Sequence, residues 1–231
     1  MKFKFLSLFL IVTSLVYAQD INQFDENGKR HGVWKKNFEG TKQLRYEGQF
    51  DHGKEVGEFK FYKLVKKKSV LTATKLFEGD GSAYVKFLAS TGKTISEGKQ
   101  LGKLYVGEWK YYHNKSDKVM TLEHYNNKGS LEGERLVYYK DGVVAERANY
   151  VDGKKQGIYY GYSVKGVVLR ELNYENDELN GLAKHFNGKG ELLAEGNYYK
   201  GKKKGIWKYY ENGELVKEDN VDAVKKKSTK Q

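Results

Sequence analysis

The chain has 231 residues, a formal net charge of +12, no cysteine and no proline. Without cysteine, disulfides and thiolate metal sites are excluded, so stability has to come from burial and hydrogen bonding. Tyrosine supplies 19 of the aromatic side chains, against 11 phenylalanines and 3 tryptophans, a balance that favours strands with a wet face over a wholly apolar core.

Residues 1–18 read as an export signal. Lys2 and Lys4 form a positive n-region, Phe5 to Tyr17 is nearly all apolar, and Val16-Tyr17-Ala18 offers cleavage after Ala18. The apolar run falls short of the roughly 20 residues that span a bilayer. The expectation is an exported protein: periplasmic, at the cell surface or extracellular.

From residue 19 to 218 the chain repeats itself. Gly32, Gly57, Gly107, Gly133, Gly157, Gly181 and Gly205 recur with a period near 24 residues, and Gly81 fills the gap in a degenerate unit near 78–97. A glutamate ladder runs in parallel: Glu47, Glu78, Glu97, Glu123, Glu146, Glu171, Glu195 and Glu218. The second unit carries a basic insertion, Lys63 to Lys75, and the third runs through Glu78-Gly79-Asp80-Gly81 without its usual turn. A period this short fits two strands and two turns.

Segments such as Phe59-Lys60-Phe61-Tyr62 and Trp109-Lys110-Tyr111-Tyr112 are aromatic and too short for stable helices. Asn27-Gly28, Asp141-Gly142, Asp152-Gly153 and Asn212-Gly213 are dipeptides that tolerate hairpin turns. One hairpin of this size is marginal in water, so neighbours must pair edge to edge. The expected fold is therefore all-β: an elongated antiparallel meander of about eight two-stranded units. Residues 219–231, with Lys225-Lys226-Lys227, read as a basic disordered tail.

The steps Gly28 to Trp34, Gly53 to Tyr62, Gly153 to Tyr162 and Gly201 to Gly213 follow a Gly-Lys-x-x-Gly-x-Trp-x-x-Tyr pattern. In this the chain resembles MORN-repeat variants of the YwqK-like antitoxin family. The resemblance implies an elongated β-meander that acts as a scaffold for proteins or phospholipids, with a toxin-antitoxin-like role as an alternative. The chain departs from a standard MORN unit where Trp207, Trp109 and Phe59 replace a second close glycine. A fainter likeness to choline-binding wall repeats suggests a glycan-binding module as a further alternative.

No catalytic constellation emerges. His31, His52, His113, His124 and His185 fall at unrelated repeat positions, which suits turn or strand-face roles, so neither a cofactor nor a metal ligand set is expected. The glutamate ladder is explained by cross-strand charge pairing with Lys99, Arg147, Arg170 and Lys217. Aromatic residues two and five places after the repeat glycine should point to opposite faces. Of these and their neighbours, Trp34, Trp109, Trp207, Tyr111 and Tyr209 are the candidate ligand-binding residues. Lysine runs at 66–68, 154–155 and 202–204 would attract polyanions. Export argues against nucleic acid, leaving a protein partner, or an anionic envelope component reached by peripheral membrane contact.

Overall fold

The computed structural model describes residues 20–223; the expected export signal and residues 224–231 of the tail lie outside the described residues. The first half comprises β1 (Gln23–Phe24), β2 (Arg30–Asn37), β3 (Leu44–Asp51), β4 (Lys54–Val65), β5 (Lys68–Phe77), β6 (Ser82–Leu88), β7 (Thr94–Leu101), β8 (Leu104–Tyr112) and β9 (Val119–Tyr125). The second comprises β10 (Gly133–Tyr138), β11 (Val144–Val151), β12 (Lys154–Lys155), β13 (Gly157–Tyr162), β14 (Val168–Glu175), β15 (Glu178–Phe186), β16 (Leu192–Tyr199), β17 (Lys202–Glu211) and β18 (Glu214–Asn220).

Pairing is antiparallel and follows chain order from β1 to β18, so the protein is an all-β meander in one open sheet. The strands β12 and β13 both pair with β11 and are one run interrupted at Gln156. Counting them together and setting aside the two-residue β1, the strands number two per expected unit.

Turn chemistry follows the residues. His52-Gly53, Asp152-Gly153, Asn176-Asp177, Lys200-Gly201 and Asn212-Gly213 close two-residue loops with positive φ at both positions, the twist that suits a hairpin. The basic insertion is absorbed by lengthening one hairpin: β4 and β5 run to 12 and 10 residues and turn at Lys66-Lys67. Glu78 to Gly81 forms the loop between β5 and β6, closed by a hydrogen bond from the Glu78 amide to the Ser82 carbonyl.

The two faces of the sheet differ. One carries the large rings: Phe59, Trp109 and Trp207 are all but inaccessible at 1%, 0% and 1% exposure. The other carries a row of directly paired residues that crosses the sheet from β2 to β18. It reads Lys35, Glu47, Lys60, Thr74, Lys86, Glu97, Lys110, Leu122, Leu136, Arg147, Tyr160, Glu171, Lys184, Glu195, Lys208 and Glu218. Opposite charges thus face each other on most adjacent strands, as in Lys35–Glu47 at 3.5 Å and Lys86–Glu97 at 3.2 Å. Cross-strand pairing of this kind stabilises register.

Five ladder glutamates lie in this row. Glu123 and Glu146 instead sit on the ring face, opposite Trp109 and Gly161, and Glu78 is in a loop. The expected opposition of aromatics holds: Phe59 packs on the ring face, while the Tyr62, Tyr112 and Tyr210 hydroxyls donate to Glu47, Glu97 and Glu195 on the charged face.

Both edges are blunted. The strand β1 is two residues long, and β18 is charged and largely exposed, each a device against edge-to-edge association. Residues 219–223, expected to open a disordered tail, are instead built onto the sheet. Asp219 pairs with Trp207, and residues 221–223 form a helical turn in which Asp222 accepts from the Gly205 amide at 3.2 Å and lies 3.0 Å from Lys204.

Candidate binding groove on the ring face

Each large ring is built into the sheet by the same device. Trp109 lies flat over Gly98, and a methyl group added at Gly98 would come within 2.5 Å of the indole; Gly196 under Trp207 and Gly48 under Phe59 each leave 2.4 Å. The ladder also slips at Gly98 and Gly196. This bulge turns a carbonyl aside, and the indole N–H takes it: Trp109 Nε1 donates to the Lys99 oxygen at 2.8 Å and Trp207 Nε1 to the Asn197 oxygen at 3.2 Å. A bulge re-aims the backbone in this way at the cost of a ladder bond.

A second position completes the device. Four residues before the ring, and two before the repeat glycine, a side chain folds back over it. Tyr105 stacks on Trp109 with centroids 3.7 Å apart, Lys203 Nζ stands 3.8 Å from the Trp207 centroid, and Lys155 and Arg30 stand 5.0 Å from Tyr159 and Trp34. Residues four apart already share a face of a strand but lie roughly 13 Å apart when it is extended; the repeat glycine between roof and ring adopts positive φ, +65° at Gly107, a bend that lets the two side chains meet. Burial against these rings pushes the Lys155 ammonium below its ordinary pKa.

The degenerate third unit breaks the rule. Gly79 stands where a roofing side chain would be, four residues before Ala83. Here the ring face opens into adjoining hollows of about 440, 490 and 180 Å³, all bordered by Glu55. Their floor is Phe50, Phe59, Phe61 and Phe77, with Arg30 and Lys75 at the sides. Arg30 lies 5.1 Å over the Phe50 ring, and Lys75 donates to the buried Gln100 at 2.9 Å. Ser82, 2% exposed, takes an amide-to-carboxylate bond to Asp80 at 2.8 Å that fixes the loop, and Lys99 pairs with Glu78 at 2.8 Å. The resulting groove has an aromatic floor and charged walls.

The candidate ligand-binding residues are packed into the sheet rather than presented to a ligand. Trp109 and Trp207 are interior, sealed by their roofs, and cannot stack on a ligand from solution. Trp34 is half-buried between Phe24 and Arg30 and donates to the Gln23 oxygen at 3.1 Å. Tyr111 is half-buried, its hydroxyl 3.3 Å from that of Tyr125, and burial raises its pKa. Tyr209 is half-buried, 3.5 Å from Lys203 Nζ. Tyr111 lies beside Trp109 with centroids 6.3 Å apart, and Tyr209 packs on the Trp207 cluster, but the five residues form no single site.

Sequence reasoning missed Gly48, Gly98 and Gly196 and the roof position. The signal was present: each of the three glycines follows a ladder glutamate and precedes its ring by eleven residues.

Fold and groove define the chain as a repeat protein with one continuous sheet and a locally opened ring face. No family model matches it, and no curated protein matches it. Among solved structures it is similar to a mutant of S. aureus TarM in complex with fondaparinux, alpha-GlcNAc-glycerol and UDP. That similarity stands at 13% identity and a TM-score of 0.21 over 60% of this chain, which spans 21% of the other.

Proposed function

We propose that the protein is an exported, non-catalytic β-repeat scaffold whose ring face holds a protein partner or an anionic envelope component. The observation that carries this reading is the opening at the third unit. An aromatic-lined hollow lies between Arg30 and Lys75, with Phe50 and Phe59 packed at its base and the half-buried Phe61 and Phe77 beside them. Such a site suits an extended ligand that brings apolar groups to the floor and negative charge to the walls. Lys155 and Lys203 continue the positive character along the same face. A glycan-binding mode based on Trp109 and Trp207 is disfavoured by their burial.

Affinity capture from the native envelope tests the proposal. The wild-type chain should retain a ligand that elutes with added salt, and the double variant Arg30→Glu, Lys75→Glu should lose it. Equal retention by the two proteins at low and high salt would overturn this assignment.

A further inference from the structure

At the start of the sheet, away from the groove floor, two histidines that look unrelated in sequence meet. Gly32 pairs with Phe50, which brings His31 beside Asp51, and the turn after β3 then presents His52. Nδ1 of His31 lies 3.6 Å from Oδ1 of Asp51, and the same oxygen lies 3.8 Å from Nε2 of His52. All three donor atoms fall within 4.8 Å of one another. Three ligands of a tetrahedral zinc ion, each about 2.1 Å from the metal, are separated by roughly 3.4 Å, so small rotations of these exposed side chains would close the set.

A fourth residue sets the chemistry of His52. Its Nδ1 is 2.6 Å from Oδ2 of Asp25, whose side chain is only 6% exposed. Asp25 is anchored in turn, because its Oδ1 accepts the amides of Asn27 at 2.9 Å and Lys29 at 2.8 Å. An ionised carboxylate can only accept, so Nδ1 of His52 carries the proton and the lone pair of the neutral ring sits on Nε2, facing Asp51 and His31. A buried carboxylate behind a histidine is the outer-shell arrangement that orients imidazole ligands at metal centres. On His31, Nδ1 accepts a long contact of 3.5 Å from the His52 amide, so its lone pair points to this side and would exchange that weak contact for the metal.

We propose that His31, Asp51 and His52 form a binding site for a divalent transition-metal ion of the zinc type, with Asp25 orienting His52. Two imidazoles and one carboxylate are a ligand set that zinc accepts, with a remaining position for water. The ion would tie β2 to the end of β3 and the turn that follows it, so metal binding and stability of the first unit are coupled.

The test uses the full chain without an affinity tag. Titration calorimetry with Zn²⁺, and Co²⁺ absorption as a probe of coordination, should show one saturable site and a rise in the melting midpoint. His31→Ala and His52→Asn should each weaken binding at least a hundredfold and abolish that rise. Asparagine is chosen at position 52 because it tolerates the positive φ of 45° there. Asp25→Asn keeps a capping oxygen and should weaken binding ten- to hundredfold. Circular dichroism spectra matching wild type would separate loss of ligands from loss of fold. Binding of equal strength in the His31→Ala, His52→Asn double variant, or no saturable site in the wild type, would overturn the proposal.

Discussion

The sheet holds two interior clusters that share one building plan and differ in what covers them. Around Trp109 gather Ala83 and Val85, with Phe77, Phe87, Tyr105, Tyr111 and Tyr125 packed against them. Around Trp207 gather Ala148, Tyr159, Leu172 and Ala183, with a ring of tyrosines. In both, an indole lies on a glycine and donates to a bulged carbonyl. The first is closed by a ring, Tyr105, and the second by an ammonium, Lys203. The common element therefore builds the fold, whereas the roof sets what the face presents to solvent. Between them the repeat substitutes charge for a ring: Arg135 occupies the ring position and pairs with Glu123 at 2.9 Å, with Glu146 at 3.9 Å.

The largest expected effect falls on the shared element. Gly98→Ala and Gly196→Ala each force a methyl into an indole that has no room to move, at a cost of about 3 kcal/mol by urea denaturation. Gly107→Ala is the contrast. Space is open there, with nothing within 4 Å, but φ is +65°, so the cost is about 1 kcal/mol. If the packing and turn glycines prove equally sensitive, the flat seating of the indoles is wrong.

Next comes the joint. Arg135→Met leaves Glu123, 13% exposed, without its cation and held by tyrosine hydroxyls, that of Tyr125 at 2.7 Å, and should cost about 2 kcal/mol. Adding Glu123→Leu should recover most of that loss, since an apolar pair replaces an unpaired charge. Failure of the second substitution to recover stability would mean that the pair does more than fill a missing ring position.

How much of this was legible follows from what each residue signals by itself. The turn glycines and Asn-Gly or Asp-Gly pairs announce positive φ locally, so the meander, its period and the opposed aromatic sets could be read from the chain. Gly48, Gly98 and Gly196 recur after ladder glutamates, but nothing next to them explains why, because their reason is a ring eleven residues later on the next strand. Packing of aromatics such as Trp109 and Trp207 into the sheet is the ordinary reading of rings in paired strands, but the roof at Tyr105 or Lys203 that completes their burial has no such signal. The groove follows from an absence, Gly79 in the roof position, which has meaning only once that position is defined.

On the charged face, acid separates the contributions. The hydrogen bond from Tyr62, with help from Lys35, holds the Glu47 carboxyl below its ordinary pKa. At Glu97 burial pushes upward, but the bonds from Tyr112 and Lys86 outweigh it and the net shift is again downward. A carboxyl depressed in the folded state contributes stability above its unfolded pKa, about 4.5, and loses it as the pH falls through the folded value. Glu47→Gln and Glu97→Gln should therefore flatten the acid limb of a stability profile below pH about 4.5. Tyr62→Phe should cost about 1 kcal/mol at neutral pH. In base, burial and Glu47 push Tyr62 up from 10.0 to about 12, so its share of stability is full below pH 10.0 and is lost as the pH rises from there through about 12. An acid limb unchanged in both glutamine variants would remove these glutamates as its source.

The smallest effect tests the roofs themselves. Lys203→Met replaces an ammonium 3.8 Å above the Trp207 ring by a thioether of similar length, so packing is largely kept and the cation–π attraction, about 0.5–1 kcal/mol at an exposed site, is lost. Tyr105→Met removes a stacked ring from Trp109, and the loss should be about 1 kcal/mol, with the indole opened to solvent on one side. Iodide quenching of tryptophan fluorescence distinguishes the two: it should rise clearly for Tyr105→Met and little for Lys203→Met. If both variants quench alike, the ammonium seals its cluster as fully as a ring does, and the two halves differ in charge but not in closure.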